Sequence, residues 1–248
     1  MRVLARLVFI AMLTVMSASS SSAASSTSVE TVVLLHGVAM PALVMRRLET
    51  ALRADGYRVV NLGYPSRTMP LEQIARDYLP AQLRAHGAES AARLHFVTHS
   101  MGSLVVRLYL RDNHPANLGR VVMLGPPNHG SVAADRAAHH RMLRWITGVN
   151  LHALGTGDGG VARLIGPADF DVGIIAGTAS VNPLFNRWLA GPHDGAVTVE
   201  SAKLAGMRDF IVVPHSHTVM LWRAAVIAQV RAFLRDGKFA QVMPPSAD

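Results

Sequence analysis

The 248-residue sequence predicts an α/β fold, a mostly parallel sheet with helices on both faces. Short β-branched runs recur along the chain, segments of helical period separate them, and polar or glycine-rich residues gather just after the runs. The runs with strand character are Thr31–Leu35, Tyr57–Leu62, Leu94–Thr98, Arg120–Leu124, Val172–Ala176 and Phe210–Val213. Strands that stay apolar at successive positions suit a parallel sheet buried on both sides. Leu43–Ala54, Leu71–Ala85 and Met101–Arg111 carry helical period, and in the last Met101, Leu104, Val105 and Leu108 share one face. A closing helix is expected from Thr218 to Leu234, stopping before Gly237. Residues 132–170 interrupt the alternation, with a helical piece at Ala133–Trp145 and then Gly155, Gly157, Gly159 and Gly160. This segment is expected to form a small lid or the rim of a cleft. No internal repeat or composition shift divides residues 31–248, which read as one domain.

Hydrophobic residues make up 50% of the chain and charged residues 16%, so a sizeable core can form and disorder is excluded. Aromatics are only 6%, which leaves the core to aliphatic side chains. The net charge of +8 raises nucleic acid as a partner. The cations are scattered, however, at Arg46, Arg47, Arg84, Arg107, Arg111, Arg141 and Arg144, with no dense run or interleaved aromatics. They read as solvated helix faces with a preference for an anionic lipid surface. At the N-terminus, Arg2 and Arg6 precede the apolar run Leu7–Met16 and a Ser/Ala tract. That order predicts a signal peptide over residues 1–24, a linker at 25–30 and an exported chain; the run is too short to span a bilayer. With no cysteine, neither a disulfide nor a lipidated-cysteine anchor is available. No histidine or carboxylate spacing calls for a metal, and no cofactor is expected.

Ligands of parallel sheets bind at the carboxyl ends of the strands, so the residues standing there matter most. His36-Gly37-Val38 follows the first strand, and His99-Ser100-Met101-Gly102 follows the third. Gly125 to Gly130 follows the fourth, Gly177-Thr178 the fifth, and Pro214-His215-Ser216-His217 the last. Ser100 lies where a strand passes directly into a helix, which exposes its hydroxyl at the helix N-terminus. The competing reading is an ordinary N-cap serine. A nucleophilic serine needs a base and an acid to orient it. Among 12 histidines, His139 and His140 read as solvated and His95 as structural, whereas His217 follows the last strand. His215 is its competitor. Asp194, in a turn between the fifth and last strands, gives the order Ser, Asp, His; Asp158, Asp169 and Asp171 lie at the wrong end of the sheet. The backbone N–H groups of Val38 and Met101 are the expected donors to a developing oxyanion, with His36, Gly37, His99 and Gly102 in support.

With those residues placed, the sequence resembles the α/β-hydrolase superfamily, and within it the small bacterial lipase-like and esterase-like proteins. The resemblance rests on L-L-H-G-V at 34–38, F-V-T-H-S-M-G-S at 96–103, V-V-M-L-G-P-P-N-H-G-S at 121–131, D-G-A-V-T-V-E-S at 194–201 and H-S-H-T at 215–218. It implies a Ser100–Asp194–His217 triad, an oxyanion site at Val38 and Met101, and an ester substrate, small or lipid. Thr98 and Ser103 depart from the glycines frequent at those places. Two other readings use the same residues: an acyltransferase or thioesterase, and a binding protein that has lost catalysis.

Overall fold

The computed structural model describes residues 29–181 and 183–240. The expected signal peptide at 1–24 and most of the linker fall outside the described residues. Strands β1 (Thr31–Leu35), β2 (Arg58–Leu62), β3 (Leu94–His99), β4 (Leu118–Leu124), β5 (Val172–Gly177) and β6 (Asp209–Val213) form one sheet in the order β2-β1-β3-β4-β5-β6. All neighbouring strands pair in parallel. The chain steps outward from β1 to β2 and then returns past β1 to β3. This reversal opens a crevice at the carboxyl ends of β1 and β3, where Gly37 and Ser100 stand.

The helices are α1 (Arg46–Ala54), α2 (Leu71–Gln73), α3 (Leu79–Ala85), α4 (Met101–Asp112), α5 (Val132–Ala138), α6 (Arg141–Thr147), α7 (Pro183–Trp188), α8 (Val199–Ala202) and α9 (Ala224–Asp236). They cover both faces, because successive strand residues point to opposite sides. Val33, Leu35 and Phe96 join a core with Leu71, Leu83 and Leu104. Val32, Leu34 and Val97 face the other way, onto Leu48, Leu52, Val230 and Phe233.

Several elements depart from the sequence expectation. The stretch 71–85 stays helical but widens into a π-helical turn over Ile74–Tyr78. Pro80 lacks the N–H that would reach back one turn and crowds the carbonyl there, and a wider turn relieves both. The piece expected at Ala133–Trp145 is two helices, because His140 is extended (φ −102°, ψ 114°). That break lets α5 bury Ala133, Ala134, Ala137 and Ala138 while α6 buries none of its residues fully. The closing helix is likewise interrupted. A 3₁₀ turn at Val219–Trp222 places Met220 and Leu221 in the core, Arg223 is extended, and α9 then runs to Asp236, capped by Gly237 in the left-handed conformation.

Arg107 overturns the reading of the cations as solvated. It lies on α4 with 2% of its surface exposed. Its guanidinium donates to the Asn128 carbonyl (3.0 Å) and side-chain oxygen (3.1 Å), and to the carbonyls of Ile165 and Gly166 (3.0 Å each). Burial without a carboxylate partner lowers its pKa to about 10, and the carbonyl oxygens replace its lost hydration. Arg107 thereby ties the β4 loop and the end of the 132–170 segment to the helix that follows Ser100.

Candidate active site

Ser100 adopts φ 52° and ψ −122°, a conformation a non-glycine residue holds only when its surroundings impose it. An N-cap serine is normally extended and accepts from the helix with its side chain. Ser100 is not extended and makes no such bond, so the N-cap reading fails. What imposes the turn is close packing. A Cβ at Gly102 would lie 2.7 Å from the Leu35 carbonyl oxygen and 2.9 Å from that of His36, and one at Gly37 would lie 2.9 Å from His99 Nδ1. Thr98 and Ser103, the two departures from glycine, bond each other through their hydroxyls at 2.8 Å across the turn.

Asp194 and His217 are joined twice. His217 Nδ1–H donates to Asp194 Oδ2 at 2.7 Å, and the His217 backbone N–H donates to the Asp194 carbonyl at 2.9 Å. The second carboxylate oxygen, Oδ1, accepts from the backbone N–H groups of Ala196 (2.9 Å) and Val197 (2.8 Å). Burial pushes the Asp194 pKa up, but the His217 charge and hydrogen bond, with those two N–H groups, outweigh it; the net shift is downward. The carboxylate is held ionised in a site only 2% exposed. Two glycines make room for the pair. A Cβ at Gly125 would meet Asp194 Oδ2 at 2.9 Å and His217 Nδ1 at 3.0 Å, and one at Gly177 would meet Asp194 Cβ at 2.8 Å. Among the described residues His215 makes backbone bonds alone, from its N–H to the Val213 carbonyl and from Ala179 N–H to its own carbonyl. Asp158, Asp169 and Asp171 pair instead with Arg163, His114 and Arg208.

His36 braces the β1 loop. His36 Nδ1–H donates to the Gly37 carbonyl at 2.7 Å, and the ring stacks on Tyr64 at 4.2 Å. Val38 N–H donates to no protein acceptor among the described residues, and Met101, first in α4, has no intrahelical acceptor for its N–H. Gly37, Val38, His99, Ser100 and His217 border one cavity of about 460 Å³. Its remaining wall is mostly apolar and includes Ala134, Leu143, Leu154, Phe185 and Val197. The 132–170 segment thus forms the wall opposite the serine. Ser131 fastens it, donating to the Ala196 carbonyl at 2.6 Å while capping α5. A hollow of about 750 Å³ against Arg46, Glu49, Arg53 and Arg58 lies on other elements and includes none of Ser100, Asp194 and His217. No cluster of three metal-ligating side chains occurs among the described residues.

His99 stands directly before the serine and is fully buried. Its Nε2–H donates to the His217 carbonyl at 2.9 Å, and its ring lies 4.6 Å from that of His217. Burial, with the nearby His217 charge, lowers its pKa to about 3. The unfolded chain takes up this proton near the ordinary pKa of about 6.5, whereas the folded chain does so only near 3. The stability linked to His99 is therefore complete above 6.5 and is lost as pH falls toward 3. His36, also lowered by burial, acts in the same direction. We expect the protein to be roughly 3 kcal/mol less stable at about pH 4.5 than at neutral pH. Urea unfolding at both pH values measures this, and His99→Gln should flatten the dependence.

Sequence reasoning missed the roles of Arg107, Gly125 and Gly177. The glycines stand just after β4 and at the end of β5, but nothing in the sequence says which side chain fills the space above them.

A six-stranded parallel sheet with helices on both faces and a serine on the turn after β3 is the α/β-hydrolase fold. The chain is similar in structure to the mature lipase BlEst2 of Bacillus licheniformis, with TM-score 0.64, 22% identity, and 78% of this chain and 87% of that one covered. It is also similar to phospholipase PlaB of Legionella pneumophila (TM-score 0.60, 18% identity, 76% and 53% covered), about half of whose length it spans. A third similar structure is carboxylesterase CesB of Bacillus subtilis (TM-score 0.51, 15% identity, 84% of each chain covered). No family model matches the sequence, and no curated protein matches it in sequence.

Proposed function

We propose that the protein is an exported serine hydrolase that cleaves carboxylic esters, with Ser100 as nucleophile, His217 as base and Asp194 as the group that orients it. The observation that carries this reading is the strained Ser100 turn beside the Asp194–His217 pair at the mouth of one apolar cavity. The Nδ1–H bond to Asp194 leaves His217 Nε2 as the basic nitrogen. In the mechanism, Ser100 Oγ attacks the ester carbonyl carbon while His217 Nε2 takes its proton. The carbonyl oxygen becomes the oxyanion and accepts from the Val38 and Met101 N–H groups. Collapse breaks the carbon–oxygen ester bond, and His217 returns the proton to the departing alkoxide. Water, deprotonated by His217, then attacks the acyl-serine and releases the acid. The apolar wall suits an acyl chain, which gains about 0.8 kcal/mol per methylene buried. Export rests on the basic, apolar and small-residue order of residues 1–24.

Hydrolysis of p-nitrophenyl esters of graded acyl length tests the reading. The rate should rise with chain length until the cavity is filled and then fall. His217→Ala should remove nearly all activity and His215→Ala should retain most of it; the reverse result would move the base to His215.

A further inference from the structure

The outer face of α6 is the most exposed apolar surface in this part of the molecule. Met142 is 69% exposed, Trp145 74%, Ile146 41% and Val149 57%. Their spacing is i, i+3, i+4 and i+7, one continuous stripe along the helix and the 3₁₀ turn that extends it. The opposite side of α6 is not free, since Leu143 and Thr147 line the cavity beside Ser100. A single short helix is therefore both the cavity wall and an outward apolar ridge.

Along α6 and the turn after it the charge has one sign. Arg136, Arg141 and Arg144 are exposed and form no ion pair among the described residues. No acidic residue occurs in the sequence after Asp135 until Asp158. Arg67 reaches over the Trp145 ring at 5.6 Å and donates to the Trp145 carbonyl at 2.7 Å, adding a cation at the edge of the stripe. A second copy of this chain is a poor occupant, because a two-fold interface would set Arg141 and Arg144 against themselves. An apolar stripe with an indole, carried with Arg141 and Arg144 on a segment that has no carboxylate, has the chemistry of a surface that enters an anionic headgroup layer.

We propose that α6 is a docking face for an anionic lipid surface, seating Met142, Trp145 and Val149 among the headgroups with Arg141 and Arg144 on the lipid phosphates. Docking there brings the Ser100 cavity to the lipid, because Leu143 and Thr147 on the same helix form its wall. No helix among the described residues is long and apolar enough to cross a membrane.

The test is flotation of the Ser100→Ala protein with phosphatidylcholine vesicles, with and without about a third phosphatidylglycerol. Using that variant separates docking from the proposed reaction, since binding needs no turnover. Binding should require the anionic lipid and weaken as salt rises. The double variant Arg141→Glu/Arg144→Glu should lower binding at least about tenfold, and Trp145→Ser should lower it severalfold. Introduced into the chain with Ser100 intact, these changes should leave hydrolysis of a short soluble ester unchanged. Equal binding to neutral vesicles, or binding indifferent to these substitutions, overturns the proposal. So does loss of binding from Arg46→Glu/Arg47→Glu alone, which would move the contact to the Leu43–Trp222 side. A dimer held by α6 that excludes vesicles would overturn it as well.

Discussion

Ser100→Ala is expected to reduce ester hydrolysis to background, a fall of about a million-fold in kcat, while the protein stays folded. The loss is large because base, acid and nucleophile act as one unit: without the hydroxyl, the Asp194–His217 pair has no proton to receive. The fold should be little affected. The Ser100 side chain makes no cap hydrogen bond, so its removal leaves no helix N–H newly exposed. Alanine meets the same steric limits at φ 52° as serine, so the strain of the turn is unchanged. Circular dichroism and thermal melting of purified Ser100→Ala should match the parent to within about 0.5 kcal/mol. Retained hydrolysis in that folded variant would remove Ser100 from the reaction.

Asp194→Asn should cost about ten-thousand-fold in kcat by a different route, with the backbone geometry intact. Asp194 Oδ1 accepts from the N–H groups of Ala196 and Val197, and only an oxygen can do so. The asparagine must keep its carbonyl oxygen there and turn its NH₂ toward His217 Nδ1. That nitrogen would then have to accept, which moves the ring proton to Nε2, where the free base is needed. The histidine remains in place but in the wrong tautomer. Kinetics of the variant should show a fall in kcat with KM little changed, whereas a rise in KM alone would mean that Asp194 only shapes the pocket.

These two expectations also mark how far the sequence could be read. Alternating β-branched runs and helical segments specified the parallel sheet, since burial on both faces leaves strands apolar at every position. Strand ends are local events, so Ser100 could be placed on its turn, and Gly37 and Gly102 beside it, from flanking residues alone. Helix interruptions were less legible. The breaks at His140 and Arg223 follow from which core each half must fill, and period along one segment carries no record of that. Arg107 reads as a surface cation in sequence, because its acceptors on Asn128, Ile165 and Gly166 lie far along the chain.

The sequence by itself determined the fold class, the order of strands and helices, and the small set of polar residues standing at the carboxyl edge of the sheet. Tertiary structure decided which of them meet. The distinction between His217 and His215 rests on the Nδ1 bond to Asp194, and the space for that pair depends on Gly125 and Gly177 from two other strands. Local patterning reports what each residue needs, whereas partnership across a sheet is fixed only when the chain closes on itself and buried polar groups must find one another.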